Sequence, residues 1–233
     1  MRRIRSSATH FIKRLGSASS GVAMVEFALA SPLLLAVGLY GIESANRAIT
    51  QLRISQAAIM IADNASRIGD ESQLGYQRMY ESDINDIFYG TQLQTGDHLN
   101  LFEHGRVILS SLETVPDSED NSQYIHWQRC MGKKQYSPAY GEEGDGLSGG
   151  MTGMGPEGEE VMAFEGEAVM FVELSYDYQP IISDIFASDS EMTATAAFNV
   201  RNNRDLSEIY QRDPNSPDAT SDCDIYDLAT PGT

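Results

Sequence analysis

The sequence predicts an α+β protein in which a long N-terminal helix and a second helix are followed by a small antiparallel sheet. Three observations predict it. Residues 22–42, VAMVEFALASPLLLAVGLYGI, form an apolar run whose only charge is Glu26, and the chain continues without Pro or Gly to residue 68. Far downstream, residues 168–178 place Met170, Val172, Leu174, Tyr176 and Tyr178 at every second position, and residues 191–201 do the same with Met192, Ala194, Ala196, Phe198 and Val200, the period of a strand. Helices come first and strands afterwards, which is the order of an α+β chain rather than of an alternating α/β one.

A chain of 233 residues has room for one medium domain and an anchor. Its formal charge of −18 is unevenly spread. Residues 1–21 carry Arg2, Arg3, Arg5, Lys13 and Arg14 with no acid, whereas from Glu43 onward 11 Lys/Arg stand against 33 Asp/Glu. A body this acidic repels phosphate backbones, so no nucleic-acid partner is expected. The basic leader, residues 1–21, can meet anionic lipid headgroups.

Residues 22–42 are the expected transmembrane helix. At about 1.5 Å per residue they span about 31 Å, matching a hydrocarbon core of about 30 Å. The five basic residues before them keep the N-terminus cytoplasmic and place residues 43–201 outside, as a periplasmic or extracellular domain on a single-pass anchor in the inner (cytoplasmic) membrane. A cleaved secretory signal is the competing reading, since Ala28-Leu29-Ala30 has the small-x-small form of a cleavage site. However, Glu26 interrupts the stretch before it, and the most apolar stretch comes after it. Pro32 predicts a kink.

Glu26 needs a reason to be there. A charge at the centre of a spanning helix costs about 2.5–3.5 kcal/mol, less near an end. Five residues into the run it can snorkel to the interface, or it can meet a partner charge when helices assemble. Gly21 followed by Val22-Ala23-Met24-Val25-Glu26-Phe27 resembles the processing site of type IV-type prepilins. The wider stretch GVAMVEFALASPLLLAVGLYGIESANRA resembles the TadE-like family of the Flp/Tad pilus assembly system. The resemblance implies a minor pilin or pseudopilin with a pilin-like fold, a structural component rather than an enzyme, with no cofactor. It further implies that a prepilin-type peptidase cuts between Gly21 and Val22, that Glu26 serves as the helix-assembly carboxylate, and that the partners are other pilin-like subunits, Tad pilus assembly proteins and the lipid bilayer. Cutting after Gly21 frees an amine at Val22, and a neighbour's Glu26 can neutralise it in lipid, where two buried charges are tolerated as a pair.

Beyond the membrane the helix is expected to run on through residues 43–68. Ala45, Ile49, Leu52 and Ile59 form one apolar stripe, interrupted by Gln56, and Ile54, Ala58, Ile61, Ala65 and Ile68 form another, so contact on two sides is expected. A second helix is expected over residues 71–89, stopping at Gly90. Strands follow over 106–113 and 122–131. Residues 133–158, with eight glycines, read as a mobile loop. The strands 168–178 and 191–201 read as packed on one face and wet on the other. The segments Glu173-Leu174-Ser175-Tyr176-Asp177-Tyr178-Gln179-Pro180 and Ala194-Thr195-Ala196-Ala197-Phe198-Asn199-Val200-Arg201 also resemble the TadE-like ectodomain. Residues 202–233 read as a polar C-terminal tail.

Two cysteines in an exported domain point to one disulfide, Cys130 with Cys223. The alternative is zinc held by His126, Cys130 and Cys223, with a fourth ligand from His98, His104 or an Asp. The acidic stretches 117–120, 142–145 and 222–227 lack the ligand spacing of a calcium loop and read as solvated surface. Calcium there would make the chain a membrane-tethered binding module. Gly146-Leu147-Ser148-Gly149-Gly150 matches G-x-S-x-G, but neither a strand before it nor a helix after it is in prospect, so a membrane-anchored hydrolase lacks its nucleophile. No phosphate-binding loop or dinucleotide fingerprint occurs.

Overall fold

The computed structural model describes residues 19–71, 75–118, 121–182, 190–201 and 203–227. Most of the basic leader, Glu119, Asp120 and the last six residues lie outside the described residues. The fold is α+β: helix α1 (Ser19–Arg67), the two-residue strands β1 (Asp70–Glu71) and β2 (Gln77–Arg78), helix α2 (Glu81–Leu99), the short helix α3 (Leu101–His104), then β3 (Gly105–Thr114), β4 (Gln123–Met131), β5 (Ala168–Asp177) and β6 (Glu191–Asn199). Two compact units divide the chain, the smaller comprising Met1–Asn46 with Pro180–Phe186 and the larger Arg47–Gln179 with Ala187–Thr233.

In the smaller unit α1 is exposed all round. From Gly21 to Ile42 only Ser31 is even half-buried. Pro32 lies inside the helix without ending it. At the end of the run Glu43 is buried, and its two oxygens accept the backbone N–H of Ile181 and Ile182 at 3.3 and 2.9 Å.

The larger unit is built on a four-stranded antiparallel sheet in the order β4-β3-β5-β6. One face packs on the second half of α1 and on α2. Ile54, Ala58, Ile61 and Ala65 meet Val107, Leu109, Val172, Leu174 and Tyr176, with Ile84 and Phe88 of α2 in the same core. This is the second of the two expected stripes. The first, Ile49, Leu52 and Ile59, stays exposed.

Three expectations are corrected. The second helix starts ten residues later than expected, because Asp70 and Glu71 pair with Gln77 and Arg78 in a small hairpin instead. It begins where the Asp83 carboxylate accepts the Tyr80 N–H (3.0 Å) and runs through Gly90 to Leu99. A helical Gly costs only about 1 kcal/mol, and the chain breaks helical geometry at Gly96 (φ 67°) and stops at left-handed Asn100.

The second correction is that β5 is buried on both faces, not wet on one. Its far face carries Val169 and Phe171, which join Leu112, Ile125, Met154 and Ala163 in a second core. The glycine-rich segment supplies that cover, so it is not the mobile loop expected of it. Gly146 shows how: it lies so close to β4 that a Cβ would sit 2.2 Å from the Gln123 carbonyl oxygen, at a φ of 85° that disfavours any side chain.

Thirdly, residues 203–227 are not a free tail. Gln77 pairs with Arg204 and Tyr80 with Tyr210, and the Cys130 N–H donates to the Ser221 carbonyl at 2.7 Å.

Candidate functional site: the apolar head of the first helix

Gly21, Val22 and Glu26 all lie on α1, and all three are exposed. Val22 and Glu26 are four residues apart, so they share one face of the helix about 6 Å apart along its axis. The surface around Glu26 is Phe27, Leu29, Leu33 and Val25, each more than half exposed. Among the described residues no cation lies within salt-bridge distance of this carboxylate. The helix is the one candidate among the described residues long and apolar enough to cross a membrane, which fits a single-pass anchor. In that setting Glu26 is the one charged side chain of residues 22–42, and a carboxylate within such a span calls for a partner. Glu43 is the contrast: at the other end of the same run it is satisfied by two amides of its own chain. In the sequence Glu43 figures only within the stretch GVAMVEFALASPLLLAVGLYGIESANRA.

In the larger unit Cys130 and Cys223 form a disulfide, with Cα atoms 4.8 Å apart. The bond consumes both thiols of the zinc alternative. His126 turns instead to Glu113, with Nδ1 3.0 Å from a carboxylate oxygen that also accepts the Ser111 hydroxyl. The hydrogen bond to Glu113 raises the His126 pKa against the opposing effect of burial. Ser148 is exposed in a run of turns, between neither strand nor helix, so it lacks the scaffold of a hydrolase nucleophile. Among the described residues no group of three His, Cys, Asp or Glu side chains is arranged to hold a metal.

In the larger unit the two most deeply buried charged side chains among the described residues, Arg106 and Glu173, went unread in the sequence. Arg106, 1% exposed, gathers the segment after β6: its guanidinium donates to the carbonyls of Gly132 (2.8 Å), Ile225 (2.6 Å) and Cys223 (2.6 Å) and stacks 4.0 Å from the Tyr226 ring centre. Glu173, also 1% exposed, lies on the far face of β5 and accepts the Ala139 N–H at 2.8 Å, while its Oε1 has no donor. Burial pushes its carboxyl up to about 7, against the opposing pull of the Ala139 and Tyr140 amides. A carboxyl raised on folding stabilises the fold fully below its unfolded pKa of about 4.5 and loses that contribution as pH rises through about 7. Glu173→Gln is therefore expected to stabilise the protein at pH 8 relative to pH 4, by up to about 3 kcal/mol. Thermal unfolding of both proteins across that range checks it, and parallel pH profiles would refute it.

Compared with protein families, with curated proteins and with solved structures, the chain matches none.

Proposed function

We propose that this chain is a TadE-like minor pilin or pseudopilin. It works by assembly rather than catalysis, anchored in the inner membrane with its N-terminus cytoplasmic and its α+β domain periplasmic. The observation that carries the reading is Glu26 on the bare apolar head of α1, five residues after Gly21 and behind a basic leader. The order of helix, then sheet, accords with a pilin-like subunit, and the disulfide accords with an oxidising compartment. Glu26 guides the pairing of helices in lipid, and the acidic domain meets other pilus components outside.

N-terminal sequencing of the membrane-extracted protein from piliated cells tests it. The mature chain is expected to begin at Val22, and Gly21→Ala to retain the leader, because a peptidase fitted to glycine leaves no room for a methyl group at the cut. A wild-type protein that keeps its leader in piliated cells would overturn the processing step.

A further inference from the structure

The two edges of the sheet are treated very differently. Along β4 the chain covers its own edge: Gln123 N–H donates to Met151, Ile125 N–H to Asp145, Gly144 N–H to Ile125, Gln128 N–H to the Glu143 carboxylate and Cys130 N–H to Ser221. Along β6 it does not. Tyr178 N–H donates to Ser190 and Val200 N–H to Ala168, and with the register between β5 and β6 this turns the even-numbered residues of β6 toward β5. The odd-numbered residues turn their N–H and C=O outward. Gln51 of α1 reaches the Thr193 carbonyl at 3.0 Å. For Thr195, Ala197 and Asn199 no acceptor or donor meets these outward groups among the described residues.

Sheet proteins ordinarily guard such an edge with Lys, Pro, a bulge or a covering element. From Met192 to Asn199 this strand has no charge, no Pro and no Gly, and its register with β5 is unbroken. Beside it runs α1, tied to β6 by Gln51 at one end and by the Arg201 N–H to Ser66 at the other. The flank of α1 on that side carries Leu52, 63% exposed, and Ile59, 49% exposed.

We propose that the outer edge of β6, with the exposed flank of α1, is a docking surface for an extended, cationic segment of a partner polypeptide, which adds as a fifth, antiparallel strand. Apolar side chains of that segment cover Leu52 and Ile59, while its other residues pair with Thr195, Ala197 and Asn199. Charge selects this occupant over a second copy. From Glu43 onward 11 basic residues stand against 33 acidic ones, a net −22, so two copies repel while a cationic strand is drawn in. A second copy pairing antiparallel through β6 would also run its α1 in the opposite direction, so the two chains would enter their folded units at Arg47 from opposite ends. The surface lies wholly in the larger unit and does not depend on the pilus reading.

The test uses the full chain in phosphatidylcholine nanodiscs and the synthetic peptide KVTVTVTVK, with empty nanodiscs as control. The odd residues of β6 share the sheet face away from α1, so the Thr residues of the peptide must make the backbone bonds and the Val residues must face α1. Methylating the Thr backbone nitrogens is expected to weaken binding at least tenfold, and methylating the Val nitrogens less than threefold. Hydrogen exchange at Thr195, Ala197 and Asn199 is expected to slow with bound peptide, and affinity to fall with added salt. Leu52→Ser, at an exposed site that leaves the fold intact, is expected to weaken binding several-fold. Equal binding of the two methylated peptides, absence of binding at millimolar peptide, or concentration-dependent protection of these amides in the protein alone would overturn the proposal. The last result would assign the edge to a second copy.

Discussion

Removing the disulfide, by Cys130→Ala with Cys223→Ala, is expected to cost about 4 kcal/mol of stability and to lower the melting temperature by about 10 °C. The two cysteines are 93 positions apart, and a loop of that length gives a large chain-entropy effect, about 4–5 kcal/mol at the upper end. Much of the effect acts on the unfolded chain, which expands when the link is cut. Denaturant unfolding of the detergent-solubilised chain should therefore show a steeper slope as well as a lower midpoint. The folded segment should stay in place, because Arg106 still holds the carbonyls of Cys223 and Ile225. A loss below about 1 kcal/mol, or an unchanged slope, would show that the bridge restrains little in the unfolded chain.

The second large effect concerns Glu26. Replacing it with Leu removes a carboxylate from an apolar span, so insertion is expected to improve or stay level, by up to about 3 kcal/mol at the centre of a helix and less near its end. On the proposed function the same change abolishes pilus assembly, since the free amine of Val22 in a neighbouring subunit loses its counter-charge. Membrane fractionation and pilus counts on the same cells separate the two effects. Normal accumulation in the membrane with no pili is the expected result. Normal piliation would mean that Glu26 merely reaches the interface, and the assembly role would fall.

What the sequence made legible, and what it did not, follows from the physics of each element. The apolar run was readable because 21 residues carry a single charge, and the four long strands because their apolar and β-branched residues are bounded by turn-forming segments; the observed strands begin and end within two residues of the expected bounds. The second helix was misplaced because helix propensity around residue 71 is a weak prior, and a two-residue hairpin overrode it. The glycine-rich segment was misread because glycine signals conformational freedom without saying what that freedom serves. Here it lets the backbone lie against β4 at Gly146. The polar segment after β6 was misread for a related reason: it holds on mainly through main-chain carbonyls, which leave no mark in the residue pattern. Glu173 breaks the apolar run Ala168-Val169-Met170-Phe171-Val172, and such an interruption is a signal by which a buried charge is recognised in a strand, whereas Arg106, at the start of Gly105–Thr114, leaves no such mark. Glu26 is the opposite case, readable from sequence alone because it is the one charge in residues 22–42.

Arg106 sets an order of events. It emerges with β3, yet two of the three carbonyls it holds, those of Cys223 and Ile225, follow β6 by more than twenty residues. Until that stretch is in place, the sheet can pair but must carry a guanidinium short of acceptors and a lone thiol at Cys130. The unfinished domain is thus marked, electrically and chemically, as incomplete. Residues 223–225 both take up the charge and close the bond, so the pairing of the sheet and the sealing of the domain are separate events.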